Sequence, residues 1–406
     1  MQGKTIVLGV TGGIAAYKAV ELLRLLTKAG ADVHVIMTRG AMEFVTPLTF
    51  QTLSMNPVST SLFNLLSERE IGHIALADRA DLVIIAPATA NIIGKLANGI
   101  ADDMLTTTVM ATRAPVIIAP AMNVNMYQNP AYKENEAKLK GRGVLFVEPA
   151  RGLLACGWEG EGKLQEPQVI FEEALTVLVP KDLAGERVLV TAGPTREEID
   201  PVRFISNHSS GKMGYAIARA ARRRGAEVTL VTGPTSLDEP YGVAVTQVVS
   251  ACEMREAVLA RATGSSIIIK AAAVADFRPA VRADVKIKKA SGPKSVELVR
   301  NPDILKELGK IEGERLLVGF AAETGDLLKN AAKKLVGKNL DMVVANDISQ
   351  SGAGFDVDTN IVKLLFRGGR VEELPVMGKD ELADVILDRV VGMKVKRVKR
   401  VGGGVN

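Results

Sequence analysis

Two segments in the first half of the sequence carry side chains that could do acid–base or binding chemistry. Asn123 directly follows an apolar run that predicts a buried strand, and α/β enzymes place ligand-binding groups at such strand ends. Cys156 lies in a segment rich in glycine and charged residues. Because a structural cysteine prefers an apolar core, this setting favours a reactive thiol over a structural one.

The second half combines a carboxylate with a cluster of lysines. Asp276 follows a predicted buried strand at 266–269, and ten residues later the run Lys-Ile-Lys-Lys at 286–289 begins with Lys286. Such a run can simply be a solvated face. Because a carboxylate can hold Mg²⁺ while lysines bind phosphate oxygens, the spacing also predicts a site for a Mg²⁺-bound polyphosphate.

Two glycine-rich segments could bind phosphate through their backbone. Thr-Gly-Gly-Ile at 11–14 follows a predicted strand, and Ser-Ser-Gly-Lys-Met at 209–213 precedes a predicted helix. Neither matches the dinucleotide fingerprint or the P-loop. A glycine turn that opens a helix presents free N–H groups to an anion, but an ordinary tight turn has the same composition. The residues alone leave both interpretations open.

Short apolar runs that alternate with helical patterns must position these side chains. This alternation is typical of a doubly wound parallel sheet, and it restarts near residue 187. We therefore predict an α/β protein with two doubly wound parallel-sheet domains, at 1–180 and 187–391. The predicted strands lie at 4–10, 32–37, 81–86, 115–119, 187–191, 227–231 and 266–269, and the predicted helices at 15–29 and 215–224.

The charge of the chain is unevenly distributed. The 406 residues include 51 Lys or Arg and 46 Asp or Glu, and the segment 392–406 holds five of the basic residues and no acidic one. Residues 1–391 therefore carry 46 charges of each sign, which does not indicate a basic nucleic-acid-binding domain. We interpret 392–406 as a basic tail with a solvated, frayed end, and contact with nucleic acid or anionic lipid is the alternative.

Cysteine content and hydropathy suggest the cellular compartment of the protein. Cys156 and Cys252 are the two cysteines of the sequence, and they do not make a disulfide framework. A reduced, cytoplasmic protein is the simplest interpretation. No uncharged apolar run reaches about 18 residues, so we expect no membrane span.

Several motifs, taken together and in order, resemble one family. From about residue 3 to 390 the sequence is similar to the bifunctional phosphopantothenoylcysteine decarboxylase/phosphopantothenate–cysteine ligases of coenzyme A biosynthesis. Tyr127 stands where the family often has Trp, and Lys163 where an Arg often follows the cysteine loop. The motifs that carry the resemblance lie at 9–18, 73, 86–91, 120–127, 155–157, 191–196, 206–214, 286–289, 301–303 and 319–324.

For residues 1–180 the resemblance implies an FMN-dependent decarboxylase with a flavoprotein, Rossmann-like fold. The flavin oxidises the thiol-bearing carbon so that CO₂ can leave. The resemblance assigns Cys156 as the acid that protonates the enethiol product, Asn123 to the substrate carboxylate, and His73 to the decarboxylation step. The implied FMN contacts are Gly12, Gly13, Ile14, Thr38, Ala88 and Thr89.

For residues 187–391 it implies a Rossmann-like ligase that uses CTP and Mg²⁺. 4′-Phosphopantothenate attacks CTP to give an acyl-cytidylate, from which the amine of cysteine displaces CMP. The resemblance places Asn207 at the acyl intermediate, Lys286 at the triphosphate and Asp276 on Mg²⁺. The other implied CTP contacts are Ala271, Ala272, Pro302, Asp303, Ile304, Leu305, Phe320, Lys334 and Lys338.

The family resemblance also implies a homo-oligomer. The decarboxylase half of the family is trimeric and the ligase half dimeric, which together build a dodecamer, and Arg203 is expected to reach across the dimer.

Two other interpretations remain from the residues. One is a flavin prenyltransferase-like or electron-transfer flavoprotein fused to a nucleotide-binding module, which leaves Asn123 and Cys156 unexplained. The other is a non-catalytic nucleotide sensor with a nucleic-acid-binding tail.

Overall fold

The computed structural model describes residues 1–63, 72–155, 157–288, 295–323, 325–347 and 357–402. The chain divides into two compact units, Met1–Pro180 and Lys181–Asn406. Among the residues described, no helix combines the length and apolarity needed to cross a membrane.

The first unit is built on a five-stranded sheet in the order β2-β1-β3-β4-β5, and every pair in it is parallel. This order is that of a doubly wound sheet, as predicted. Its elements are β1 (Thr5–Val10), α1 (Ala16–Lys28), β2 (Asp32–Met37), α2 (Arg39–Met42), α3 (Pro47–Ser54), α4 (Gly72–Arg79), β3 (Leu82–Ala88), α5 (Ala90–Ala97), α6 (Met104–Ala111), β4 (Val116–Pro120), α7 (Val124–Gln128), α8 (Pro130–Gly141), β5 (Leu145–Phe146), β6 (Ala150–Leu153), β7 (Glu159–Lys163) and α9 (Pro167–Leu178).

The second unit is built on an eight-stranded sheet in the order β12-β11-β8-β13-β16-β17-β19-β20. Its elements are β8 (Arg187–Ala192), β9 (Arg196–Glu198), β10 (Phe204–Ser206), α10 (Lys212–Arg223), β11 (Glu227–Thr232), β12 (Ala244–Gln247), α11 (Ala251–Ala262), β13 (Ile267–Lys270), β14 (Phe277–Pro279), β15 (Leu298–Arg300), α12 (Ile304–Leu308), β16 (Leu316–Glu323), α13 (Leu327–Gly337), β17 (Met342–Asp347), β18 (Thr359–Asn360), β19 (Val362–Phe366), β20 (Val371–Glu373), β21 (Met377–Gly378) and α14 (Lys379–Gly402).

This second sheet is parallel from β12 to β17, but β19 and β20 are antiparallel additions at one edge. The prediction of a purely parallel sheet is therefore incomplete at that edge. β20 follows β19 after only four residues, 367–370, and a connection this short allows antiparallel pairing alone, because a parallel partner needs a long crossover.

The alternation of side chains along buried strands explains why helices cover both faces of the sheets. In β1, Ile6 and Leu8 belong to one apolar core, whereas Val7 belongs to another. Successive strand residues point to opposite faces, so a strand that is apolar throughout must be covered on both sides.

The basic tail differs from the frayed end that we predicted. α14 continues without a break through Gly392 to Gly402. Met393 packs against the core of the second unit, and the Lys394 ammonium forms an ion pair with the Glu186 carboxylate. The tail prediction is wrong for this stretch, because Met393 continues the apolar face of the helix. Residues 403–406 lie outside the described residues.

Candidate functional sites

The first candidate site lies along one edge of the sheet in the first unit. The loop at 11–14 follows β1, Thr38 follows β2, Thr89 follows β3 and Asn123 comes shortly after β4. These four strands are neighbours, so their carboxyl ends meet. The predicted FMN contacts and Asn123 therefore share the edge where doubly wound folds bind ligands.

Thr11 joins two of the loops at this edge. Its buried hydroxyl donates to the Pro87 carbonyl at 2.7 Å and accepts the Thr89 N–H at 3.0 Å. The Thr89 hydroxyl in turn caps α5 by accepting the N–H of Ile92 at 3.4 Å. One buried hydroxyl thus fixes the loop after β1 to the loop after β3.

The two glycines of the loop after β1 have different roles. A Cβ on Gly12 would lie 2.7 Å from the backbone carbon of Gly40, so only glycine allows the loop to approach α2 this closely. A Cβ on Gly13 would meet only the Thr89 methyl group, at 3.9 Å. The side chain of Ile14 is 59% exposed. Gly12 therefore serves packing, while Gly13 and Ile14 border open space.

A hairpin of β6 and β7 packs against the Asn123 loop. The Met122 N–H donates to the Gly162 carbonyl at 2.9 Å. A Cβ on Gly162 would lie 2.3 Å from the Met122 oxygen, so glycine is required at this contact. The Leu154 N–H donates to the Trp158 carbonyl at 2.8 Å across the end of the hairpin. Cys156, the predicted acid, belongs to the segment between these strands but lies outside the described residues.

Asn123 and His73 differ in how far their polar atoms are satisfied. The Asn123 side-chain oxygen caps α7 by accepting the Asn125 N–H at 2.8 Å. His73 is the second residue of α4, and its Nδ1 is buried without a hydrogen-bond partner in the described part of the chain. Such an orphaned polar atom is costly unless a ligand or water satisfies it.

Tyr127 is held by an acidic and a basic neighbour. Its hydroxyl donates to the Glu148 carboxylate at 2.8 Å, and the Lys133 ammonium lies 3.4 Å from the centre of its ring. Burial, reinforced by the bond to Glu148, raises the pKa of the Tyr127 phenol, which therefore stays neutral at physiological pH. Lys163 lies 3.9 Å from the Glu166 carboxylate.

The second candidate site is a cavity of about 950 Å³ in the second unit. It contains Asn207 and all but one of the residues expected at CTP, the exception being Lys286. Its volume is in the range of small-molecule sites. The predicted residues that line it are Asn207, Ala271, Ala272, Asp276, Pro302, Asp303, Ile304, Leu305, Phe320, Lys334 and Lys338.

Lys286 and Arg203 do not line this cavity. Lys286 is exposed, and the end of its motif at 289 lies outside the described residues. The Arg203 guanidinium donates to the buried Asp200 carboxylate at 3.0 Å and to the Ile287 carbonyl at 2.9 Å. This guanidinium holds the pKa of Asp200 well below its usual range.

Thr191 and two asparagines fix the loop that follows β13. The buried Thr191 hydroxyl accepts the Ala272 N–H at 3.1 Å, as Thr11 does for Thr89 in the first unit. The Asn207 amide donates to the Val274 carbonyl at 3.0 Å, and the Asn301 amide donates to the Ala275 carbonyl at 2.9 Å. The carboxylate of Asp276 follows directly and faces the cavity.

Three lysines line the cavity close together in the fold. Lys334 donates to the Phe320 carbonyl at 2.5 Å, and the Lys338 ammonium lies 3.0 Å from the Asp303 carboxylate. Lys270 ends β13. Burial, followed by repulsion from Lys334 and Lys338, lowers the pKa of Lys270 to about 7. The cavity therefore offers several cationic groups to an anionic ligand.

The polar residues of the cavity that the sequence analysis did not assign include Lys270 and Asn346. Lys270 could have been recognised, because it is a charged residue at the carboxyl end of an apolar strand. Asn346, near the end of β17, has a buried side-chain oxygen without a partner among the described residues. No sequence signal distinguished that asparagine. The described residues contain no group of three or more His, Cys, Asp and Glu side chains able to hold a metal.

Comparison with known proteins gives matches over both units. A family model described as "Flavoprotein" matches residues 1–178, and one described as "DNA/pantothenate metabolism flavoprotein C-terminal domain" matches residues 183–393. A coenzyme A biosynthesis bifunctional protein CoaBC of Bacillus subtilis (strain 168) is 52% identical over 98% of this chain and 100% of its own length. The corresponding protein of Vibrio cholerae is 50% identical over 95% of this chain and 98% of its own.

A solved structure is also similar to part of the chain. The crystal structure of the C-terminal domain of a coenzyme A biosynthesis bifunctional protein CoaBC is 46% identical, with a TM-score of 0.47. The match covers 53% of this chain and 99% of that one.

Proposed function

The chain belongs to the family of coenzyme A biosynthesis bifunctional proteins and is a ligase and a decarboxylase of that pathway, and from this premise we propose which residues carry each activity. We assign the decarboxylase to residues 1–180 and the ligase to residues 187–391. The observation that supports the ligase most strongly is the cavity that gathers Asn207, Asp276 and the lysine cluster.

FMN is the flavin we propose for the first unit. The loop after β1 opens α1, so its backbone N–H groups and the hydroxyls of Thr38 and Thr89 suit a single phosphate. Open space beside Gly13 and the exposed side chain of Ile14 fit a flat apolar ring. Bound FMN supplies reversible two-electron oxidation of the thiol-bearing carbon. Gly12, Gly13, Ile14, Thr38, Ala88 and Thr89 would hold it.

Three side chains would act on the substrate at this edge. Asn123 binds the carboxylate of 4′-phosphopantothenoylcysteine, held at the start of α7 by the hydrogen bond that its side-chain oxygen accepts from the Asn125 N–H. His73 acts in the decarboxylation step. Its buried Nδ1, which has no hydrogen-bond partner among the residues the structure describes, supports a role that is completed only with ligand present. Cys156 gives its proton to the enethiol, since a thiol is a far stronger acid than a hydroxyl. CO₂ leaves before that proton is delivered.

In the second unit, CTP would occupy the cavity with its phosphates toward the lysines. Asp276 would hold Mg²⁺ together with phosphate oxygens. One carboxylate suffices for that, because Mg²⁺ usually keeps several waters and binds one or two carboxylates plus the phosphates. Lys286 would bind the triphosphate as well, reaching the site from its exposed position. The carboxylate of 4′-phosphopantothenate attacks the α-phosphorus, and pyrophosphate leaves.

Asn207 would act in the second half-reaction. When the amine of cysteine attacks the acyl-cytidylate, negative charge grows on the acyl oxygen. The Asn207 amide has two hydrogens, and only one is needed for its bond to the Val274 carbonyl. The other can be donated to that oxygen, which stabilises the transition state.

The oligomer and compartment are part of the same proposal. We propose a cytoplasmic homo-oligomer that combines trimeric decarboxylase and dimeric ligase contacts, probed by the mass of the native particle in light scattering. In such a dimer Arg203 would reach the neighbouring ligase site. Its ion pair with Asp200 holds the guanidinium at the surface, half exposed.

One pair of measurements tests the whole assignment. The purified chain should show a flavin absorption spectrum and release FMN, not FAD, on denaturation. It should also release pyrophosphate from CTP only when 4′-phosphopantothenate is present. FAD release would overturn the FMN assignment. A chain that binds nucleotide without releasing pyrophosphate would instead support the sensor interpretation.

A further inference from the structure

Lys270 occupies a distinctive position in the nucleotide cavity. It is the last residue of β13, in register with Thr191 on one neighbouring strand and Gly319 on the other. Its half-buried side chain lines the cavity. In the described part of the chain it makes no hydrogen bond or ion pair, whereas Lys338 is paired with Asp303.

The groups around Lys270 explain why its ammonium is poorly stabilised without a ligand. Lys334, in α13, and Lys338, directly after its end, disfavour a third positive charge. Asp303, at the start of α12, and Asp276, after β13, favour it less strongly. Together with burial these groups lower its pKa to about 7. A polyphosphate in the cavity would reverse the balance, because its negative charges favour the protonated amine.

We propose that Lys270 binds the polyphosphate of the nucleotide and takes up a proton from solvent as it does so. This inference rests on the proposed CTP-dependent ligase function and extends it to a residue that the motifs do not include. The ammonium donates to phosphate oxygens, as Lys does in many phosphate sites. Before the nucleotide enters, the neutral amine avoids crowding three positive charges.

Proton uptake is the readout that separates this role from simple packing. In the free chain at pH 8, roughly a tenth of Lys270 is protonated, and most of it should be protonated in the complex. The number of protons taken up on CTP binding can be measured by calorimetry with Mg²⁺ in two buffers of different ionisation enthalpy. We expect this number to be nearly one larger for the wild type than for Lys270→Met. At pH 6 this difference should almost vanish, because free Lys270 is already charged.

Affinity and two further variants complete the experiment. Lys270→Met should weaken CTP binding roughly 10- to 100-fold at pH 6–7, the size expected for a lost charge-assisted hydrogen bond. Lys270→Arg should keep most of the affinity and lose the proton uptake, because arginine stays charged. Lys310→Met removes an exposed lysine outside the cavity and should change neither quantity.

The outcomes distinguish this inference from the ligase assignment. If Lys270→Met binds CTP with wild-type affinity and wild-type proton uptake, the inference is overturned while the ligase stands. Tripolyphosphate serves as a second probe. If the wild type takes up the Lys270-dependent proton with tripolyphosphate but does not bind CTP, the inference stands and the CTP assignment falls. Binding of neither probe overturns both.

Discussion

The Lys338 ammonium lies 3.0 Å from the carboxylate of Asp303 in the cavity of the second unit. The same carboxylate caps α12 by accepting the N–H of Lys306 at 3.0 Å. Burial alone would raise the pKa of Asp303, but the hydrogen bonds from Lys338 and Lys306 lower it overall. One ionised carboxylate therefore orients a helix N-terminus and a cavity lysine together.

Removing the lysine of this pair should weaken nucleotide binding. Lys338→Met takes away a cation and leaves the Asp303 carboxylate facing the phosphates, so we expect the Kd for CTP to rise about 10-fold or more. Lys333→Met is the matched control, because Lys333 is an exposed residue of α13, the helix that ends just before Lys338, and lies outside the cavity. Equal affinities for the two variants, measured by titration with CTP, would contradict the placement of the triphosphate beside Lys338.

The Thr11 hydroxyl should matter for flavin retention. Thr11→Val leaves the Thr89 N–H without its acceptor and should destabilise the first unit by about 1–3 kcal/mol. We expect faster FMN loss on dilution, followed by flavin fluorescence. In the control Thr108→Val, the lost hydroxyl is one that donates to the Met104 carbonyl within α6. A Thr11→Val protein that retains flavin like the control would show that the loop geometry survives without this hydroxyl.

The strands that the sequence predicted all form, and their ends differ from the prediction by at most two residues. A strand such as β3, which is buried at every position, leaves few alternatives to a central parallel strand. The strand at 32–37 matches its prediction as well, although Asp32 is exposed and β2 lies at the edge of its sheet. The strands β19 and β20 were not predicted. β20 is only three residues long and holds two glutamates, and the antiparallel pairing of both strands is decided by the neighbouring strand.

The site residues also differ in how well the sequence predicted their positions. Residues at strand ends, such as Thr38 and Asp276, could be placed because the topology brings strand ends together. Lys286 lies on a long connection, where the sequence pattern does not determine distance to a site, and the structure leaves it exposed outside the cavity. The cavity role of Asn346 depends on an unsatisfied oxygen, which only three-dimensional packing reveals.

Lys270 should reduce the stability of the ligand-free second unit near neutral pH. Its folded pKa of about 7 lies below the ordinary value of 10.5, so between these pH values the unfolded chain binds more protons. The contribution of Lys270 to the free energy of unfolding therefore rises with pH across this window. It is most unfavourable near and below pH 7. Lys270→Met should raise the Tm of the ligand-free second-unit transition at pH 7, and the gain should shrink towards pH 10. A Tm that is unchanged or lower at pH 7 would contradict this.

The end of α14 should contribute to stability but not to catalysis. A chain ending at Val391 loses the packing of Met393 and the ion pair of Lys394 with Glu186, whereas a chain ending at Val395 keeps both. We expect the shorter chain to lose about 1 kcal/mol, or roughly 2–4 °C in Tm. Both activities should survive in both chains. If the two chains melt together in calorimetry, these contacts contribute nothing.

Asn207→Asp should separate the two half-reactions of the ligase. A carboxylate cannot donate to the acyl oxygen and adds a like charge beside it, which should slow amide formation by roughly 10²–10³. The lysines and Asp276 should still bind CTP and Mg²⁺, so activation continues. In rapid-quench experiments we therefore expect a burst of about one pyrophosphate per site without amide product. Lys286→Gln should instead slow the burst itself, and the decarboxylase should be intact in both variants.

Asn301 provides the control for Asn207, because it bonds to the same loop. Asn207 and Asn301 each donate a side-chain amide hydrogen bond to this loop, to the carbonyls of Val274 and Ala275 respectively. If Asn207 only supported the loop, Asn207→Asp and Asn301→Asp should behave alike, losing both half-reactions together with thermal stability. If Asn207 stabilises the transition state, only Asn207→Asp should accumulate the acyl-cytidylate, because charge develops next to its amide. Trapped intermediate in Asn207→Asp and none in Asn301→Asp is thus the result that assigns the role.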